Sequence, residues 1–342
     1  MIQVRHITKR YGDHFAVKDI SFDIERGKIY GLLGANGAGK STTMNIMTGC
    51  LSATEGTVTV DGKDVFREPL DAKRRIGYLP EIPPLYAEMT PEEYLIFVSE
   101  AKGVPYEDGI RQVKEVLALT GTDAVSDRLI RNLSKGYKQR VGIAQALLGN
   151  PEVIILDEPT VGLDPKQMIE IRSLIKELGK TKTVIVSSHI LSEISAVCDH
   201  VMIISHGRLV ANDSIAALEE SVSAEHKLYL TVRGAAQSVL ALLNAIDAVT
   251  DVTEETTSKT DTCRFSMRFD KNNDPRETIF YMFAENKLPI LDMTTDQVTL
   301  EDIFLQLTSE ALPEEEAVAY ENNEGSDYIP QFSATARKEY DE

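Results

Sequence analysis

The chain has 342 residues, 42% of them hydrophobic, and a formal net charge of −18. That length exceeds what one hydrophobic core usually organises, so about two domains are expected. The acidic balance argues against broad nucleic-acid binding, which needs a basic surface, and no apolar run approaches the ~18 residues required to span a bilayer.

In chain order, the sequence predicts short strands at Ile2–Ile7, Ala16–Phe22, Ile29–Leu33 and Gly56–Val60, the last before an Asp61-Gly62 turn. A helix is predicted to start near Lys40. From Pro83 to Gly149 the character is helical, with Pro91 in the first-turn position of a helix over Glu92–Ala101. Val153–Leu156 and Thr183–Val186 are continuous apolar or β-branched runs, as in buried parallel strands, and a helix-length stretch over Gln167–Leu178 separates them. Val201–Ile204 repeats the pattern. The alternation predicts an α/β core with a mainly parallel sheet, interrupted by a helical insert over 83–149.

A break near Ser221–Glu225 suggests a domain boundary. Leu228, Leu230 and Val232 then alternate with Tyr229 and Thr231, Ala236–Ile246 reads as a helix, Phe265–Phe269 as a second alternating strand, and Pro275–Asn286 as another helix. Thr299 and Asp302 give a capping pattern before Ile303–Leu307. The expectation for 225–308 is a small βαββαβ-like α+β domain without a catalytic constellation. Residues 310–342 carry ten acids against Arg337 and Lys338. The stretch 309–342 is therefore expected to be a solvated, disordered tail.

Cys50, Cys198 and Cys263 are odd in number and share no metal spacing, so they read as reduced, mostly buried thiols of a cytosolic protein. The N-terminus shows no basic-then-apolar signal segment. The expectation is a chain neither secreted nor itself a channel.

Chemistry concentrates in a few motifs. Gly34-x4-Gly39-Lys40-Ser41 lies between a strand and a helix, where converging backbone N–H groups and the helix dipole cradle phosphate. Asn36, Gly37 and Ala38 complete the loop and Thr42 follows it on the helix. Lys40 is placed to reach the β- and γ-phosphates of a nucleotide, and Ser41 to ligate Mg²⁺. Asp157-Glu158 ends the most hydrophobic strand, where open α/β sheets present ligands. Asp157 is expected to hold Mg²⁺ through water, and Glu158 to orient and polarise the attacking water. Leu133-Ser134-Lys135-Gly136 precedes a further helix. Ser134 is a natural N-cap, and with Gly136 and the positive helix end it also offers a second phosphate-binding surface.

Over residues 1–222 this ordered set resembles the ATP-binding subunit of an ABC transporter, built on a P-loop NTPase core with an antiparallel β subdomain. The resemblance implies that Ser134 and Gly136 belong to the signature motif, which closes over ATP held by a partner's loop. It implies that Tyr11 stacks on adenine, that Gly162-Leu163-Asp164 contacts the other subunit, and that His189 touches the γ-phosphate. It further implies ATP and Mg²⁺ as ligands and a homodimer or paired ABC subunit around two ATP. An integral-membrane permease would be gripped near Pro83–Tyr94, placing the chain in the cytoplasm on the inner face of the cell membrane. Glu81, in Tyr78-Leu79-Pro80-Glu81, stands where glutamine usually links Mg²⁺ to the helical insert, and Tyr137 replaces the usual signature glutamine. Both, with Leu300-Glu301-Asp302-Ile303-Phe304, are similar to bacterial export cassettes of the multidrug, gliding-motility and sodium-efflux type. The alternatives are a soluble ABC-type ATPase acting on ribosomes or DNA, whose relatives usually carry paired cassettes and basic surfaces, and a nucleotide-binding scaffold.

Overall fold

A computed structural model describes residues 1–222, 225–255, 261–270, 273–296 and 300–310. Thr299 and the acidic segment beyond 310 lie outside the described residues.

The first sheet is antiparallel, in the order β2-β1-β4-β5. It comprises β1 (Ile2–Tyr11), β2 (His14–Ile24), β4 (Glu55–Val60) and β5 (Lys63–Asp64). The strands β1 and β2 run several residues past the predicted limits, because a tight turn at Gly12-Asp13 lets pairing continue from Ile2↔Ile24 to Tyr11↔His14.

The central sheet carries β3 (Ile29–Leu33), β6 (Ile76–Leu79), β7 (Val153–Leu156), β8 (Thr183–Ser188), β9 (His200–Ser205) and β10 (Arg208–Ser214). Its order is β10-β9-β3-β8-β7-β6, parallel except for the β9–β10 hairpin. All residues of β7 and β8 are buried, as a sheet covered on both faces requires. Successive side chains serve opposite faces. Leu32, Ile155 and Ile185 join a cluster with Met44 and the first sheet, whereas Leu33, Leu156 and Val186 join a larger one with the helices.

Helices α1 (Lys40–Met47), α2 (Pro69–Lys73), α6 (Pro165–Gly179), α7 (Leu191–Val197) and α8 (Ile215–Val222) connect these strands. The insert consists of α3 (Pro91–Ala101), α4 (Tyr106–Thr120) and α5 (Lys135–Leu147). A reciprocal capping box fixes the start of α3: Thr90 Oγ1 accepts from the Glu93 amide, and Glu93 accepts from the Thr90 amide. The strand β6 and the edge strand β10 were not predicted, since Gly77 and Tyr78 interrupt the apolar run of one and the other alternates weakly between faces.

The third sheet is antiparallel, ordered β12-β13-β11-β14. Its chain order is β11 (Glu225–Arg233), α9 (Ala236–Leu243), β12 (Val249–Glu255), β13 (Thr262–Asp270), α10 (Arg276–Glu285) and β14 (Ile290–Asp296). This is the βαββαβ succession, with a core of its own around Leu228, Leu230, Phe265, Ile279 and Phe283. The final helix, α11 (Leu300–Glu310), departs from the sequence-based grouping with that sheet. Its stripe of Leu300, Ile303, Phe304 and Leu307 packs into the larger cluster of the α/β layer instead, against α7, α8 and β10. Cys198 and Cys263 are buried and Cys50 is exposed.

Candidate functional site

Four neighbouring strands of the central sheet end on the same edge, and each delivers one motif. Taken along β3-β8-β7-β6, the segments that follow are the Gly34–Ser41 loop, His189, Asp157-Glu158 and Glu81. Parallel strands make this possible, because their carboxyl ends all point one way and leave room for a ligand beyond them.

The loop after β3 turns into α1 through Gly39, which adopts φ 109° and would bring a Cβ within 2.6 Å of the Ala16 carbonyl oxygen. Only glycine fits that corner. The Lys40 ammonium, almost wholly buried, donates to the Gly34 carbonyl at 2.8 Å and the Ala35 carbonyl at 3.3 Å. It also lies 3.5 Å from Glu158 Oε1. A cleft of about 380 Å³ opens above, lined by Ala16, Val161 and, from the predicted set, by Asn36, Gly37, Gly39, Lys40, Ser41, Thr42, Glu81, Glu158 and His189.

Glu158 occupies left-handed backbone, φ 47°, a conformation unusual for a residue with a side chain. Ser187 supports it: the Glu158 amide donates to Ser187 Oγ at 2.8 Å, and that hydroxyl donates to Asp157 Oδ1 at 2.6 Å. Asp157 is buried beneath the cleft and does not line it. His189 Nδ1 lies 3.0 Å from Glu158 Oε2. Nearby, burial and then the negative charge of Asp157 push the Tyr78 phenol well above its ordinary range, so its hydroxyl stays a donor, 3.3 Å from Asn45 Oδ1.

Other predicted residues stand apart. Gly34 and Ala38 form the buried base of the loop and do not line the cleft. Tyr11 ends β1 with 51% of its surface exposed and the Lys9 ammonium 5.2 Å from its ring centroid, outside the lining. Ser134 is exposed and caps α5 by accepting from the Tyr137 amide at 3.4 Å. Gly136 packs so close to the start of α6 that a Cβ would meet Gln167 Oε1 at 2.5 Å. Neither reaches this chain's own cleft. Tyr137 rests against the helical core with the Arg140 guanidinium 6.0 Å from its ring.

Among the described residues, no three His, Cys, Asp or Glu side chains form a metal cage. The oxygens of Ser41, Glu81 and Asp157 are hard donors of the kind Mg²⁺ takes when phosphate and water complete its shell, so the residues fit that ion.

The sequence profile of the ABC transporter family matches residues 17–161. The linearmycin resistance ATP-binding protein LnrL of Bacillus subtilis is 33% identical over 318 residues, covering 91% of this chain and 99% of that protein. The chain belongs to the ABC transporter ATP-binding proteins. The bacitracin transport ATP-binding protein BcrA of Bacillus licheniformis is 34% identical, over 90% of this chain and 97% of that one. Among solved structures, an ATP-binding subunit of an ABC transporter superposes with a TM-score of 0.59 at 30% identity, covering 65% of this chain and 92% of that one. A dimeric ATP-binding cassette in a post-hydrolysis state with ADP and Pi superposes with a TM-score of 0.57 at 26% identity, over 63% and 98% of the respective chains. This ABC protein is thus an ATP-binding ATPase with a P-loop NTPase core, an antiparallel β subdomain, a helical insert and a small C-terminal α+β unit. No helix among its described residues is long and apolar enough to cross a membrane.

Proposed function

We propose that this chain is one half of an ATP-driven pump: two copies, or this chain and a paired ABC subunit, sandwich two ATP and move a separate membrane permease. The observation carrying the proposal is the division of the predicted set. The Gly34–Ser41 loop, Glu81, Glu158 and His189 share one cleft, whereas Ser134 and Gly136 open α5 away from it. A second positive helix end, with Ser134 exposed and outside its own chain's cleft, suits the nucleotide of a partner.

Within that site the loop amides from Gly34 to Ser41, with Thr42, bind the phosphates, and Lys40 neutralises the β- and γ-oxygens. Tyr11 supplies a ring for adenine. Ser41, Asp157 and Glu81 would hold Mg²⁺, which when bound would neutralise charge on the phosphates. Glu158 accepts a hydrogen bond from the attacking water and aims it at the γ-phosphorus. The left-handed backbone directs its carboxylate into the cleft, where Lys40 and His189 flank it. His189 orients that carboxylate and contacts the γ-phosphate. Phosphate charge between the two loops favours closure, and hydrolysis reverses it.

The permease site is assigned to the helical insert and the segment before it. Ile82, Tyr86 and Phe97 are exposed there, with the Tyr86 ring 5.4 Å from that of Phe97 and 5.7 Å from that of Tyr94. Exposed aromatic clusters of this kind mark protein interfaces. Docking there would hold the protein on the inner face of the cell membrane. The names of LnrL and BcrA, linearmycin resistance and bacitracin transport, support export as the direction.

The deciding experiment is Glu158→Gln studied by size-exclusion chromatography and phosphate release. The variant is expected to bind ATP, to elute as a dimer only with ATP, and to release no phosphate. A monomeric variant with full turnover would refute the reading.

A further inference from the structure

Outside the predicted set, a buried carboxylate joins two of the loops that build the site. Glu193, in the first turn of α7, exposes only 6% of its surface. Its Oε2 accepts from Thr160 Oγ1 at 2.6 Å and from Ser188 Oγ at 2.9 Å. Thr160 follows Glu158 by two residues, and Ser188 immediately precedes His189. Both hydroxyls are buried as well.

Each hydroxyl has a single proton, and both protons are committed to the same oxygen. The Ser188 oxygen in turn accepts from the Ile190 amide at 3.0 Å, so the backbone on both sides of His189 is fixed through Ser188. On the other side, the Thr160 carbonyl accepts from the Leu163 amide at 3.2 Å, which starts the turn leading through Gly162 to the Asp164 cap of α6. The remaining oxygen, Oε1, is buried without a hydrogen bond, and its nearest cation is the Arg172 guanidinium of α6 at 3.9 Å. A buried carboxylate held this way resists displacement, because moving it strands two hydroxyl donors and uncovers an unpaired charge.

We propose that Glu193 is a positioning residue that makes the His189 segment and the Thr160–Asp164 loop move as one body. It rests on the reading above, in which His189 meets the γ-phosphate and the loop through Gly162-Leu163-Asp164 meets the partner subunit. Glu193 then transmits the state of one nucleotide to the other subunit. ATP binding itself needs no such link, since the phosphate loop and Lys40 make no hydrogen bond to Glu193.

The test measures steady-state ATPase against ATP concentration for the full chain and for Glu193→Ala, Glu193→Gln, Thr160→Val and Glu193→Ala/Thr160→Val. Titration with a fluorescent ATP analogue and an unfolding curve accompany each. Glu193→Ala is expected to lower kcat about tenfold or more, to leave analogue affinity within about twofold, and to bring the Hill coefficient towards about 1. The double variant should be no slower than Glu193→Ala alone, and Glu193→Gln, which keeps an acceptor oxygen, should recover part of the rate. Wild-type kcat and cooperativity, additive losses in the double variant, or affinity falling in step with kcat would each overturn the proposal. Should Glu193→Ala not fold, Thr160→Val and Glu193→Gln decide it by the same criteria. Glu158→Gln run alongside separates the two readings: if it hydrolyses ATP normally, the site assignment fails, whatever Glu193 does.

Discussion

His189 Nδ1 and Glu158 Oε2 lie 3.0 Å apart, and Glu158 Oε1 lies 3.5 Å from the Lys40 ammonium, so one carboxylate is shared between two nitrogen groups from different loops. A carboxylate can only accept, which places the proton of the first pair on Nδ1. The carboxylate proposed as general base is thus oriented by both neighbours. His189→Ala removes one of the two. Its kcat is expected to fall about 100-fold, within the range for loss of a group that acts on proton transfer, while ATP affinity changes less than about threefold. Phosphate release and nucleotide titration on the same preparation check both halves.

Lys40→Ala removes the buried cation that spans the phosphate loop and the glutamate. Loss of a charge-assisted contact to phosphate is expected to weaken ATP binding by about tenfold or more. Calorimetric titration with ATP reads the effect directly, and affinity equal to that of the unaltered protein would remove Lys40 from the site.

Gly39→Ala combines strain with a collision. The left-handed φ of 109° and the Ala16 carbonyl 2.6 Å from a Cβ both oppose it. A stability loss of about 1–3 kcal/mol is expected, together with weaker ATP binding as the loop shifts. Denaturant unfolding at fixed pH is the measurement.

Ser134 separates two effects that a single substitution confuses. Ser134→Ala should cost the α5 cap, about 1 kcal/mol, and the hydroxyl offered to the partner's nucleotide. Ser134→Arg loses the same cap and also fills the helix end assigned to the partner's nucleotide. Equal stability of the two variants, with ATPase activity lowered in the first and absent in the second, is the expected pattern; unchanged activity in Ser134→Arg would show that the helix does not face nucleotide.

Lys102, at the end of α3, donates to the carbonyls of Gln145 at 2.9 Å and Leu148 at 2.8 Å, closing the end of α5. Burial pulls its pKa down from 10.5 to about 8. Between those two values the unfolded chain binds more protons at this position than the folded one, so its contribution makes stability rise with pH and become level on either side. The difference in stability between the unaltered chain and Lys102→Met, taken from unfolding curves from pH 7 to pH 11 (roughly spanning that window), should show the rise. The buried Cys198, Tyr78 and Tyr94, whose pKa values burial raises, act oppositely in both chains and cancel from it.

How legible all this was depends on the range of each interaction. The strands Ile29–Leu33 and Val153–Leu156 were placed to the residue, because runs buried on both faces leave a local signature. The phosphate loop was equally plain, since glycine at a sterically closed corner is a local demand. Ser187, Thr160 and Glu193 carry no such mark. A serine inside a β-strand and a lone glutamate on a short helix acquire meaning only when β7 and β8 pair and bring residues about thirty positions apart into contact. The α11 stripe was read correctly as helical, but its partner was not. Periodicity tells which face is apolar and leaves open what covers it.

That last helix changes what kind of appendage the βαββαβ unit is. Its chain enters from α8 and leaves into α11, and those two helices pack against each other on the ATPase core. The unit is therefore a loop excursion clasped at both ends, not a tail hung from one. Cutting the chain after Val222 would tear out Leu300 and Ile303, which belong to the core of the α/β layer. Removing the unit without wounding the engine requires splicing α8 to α11.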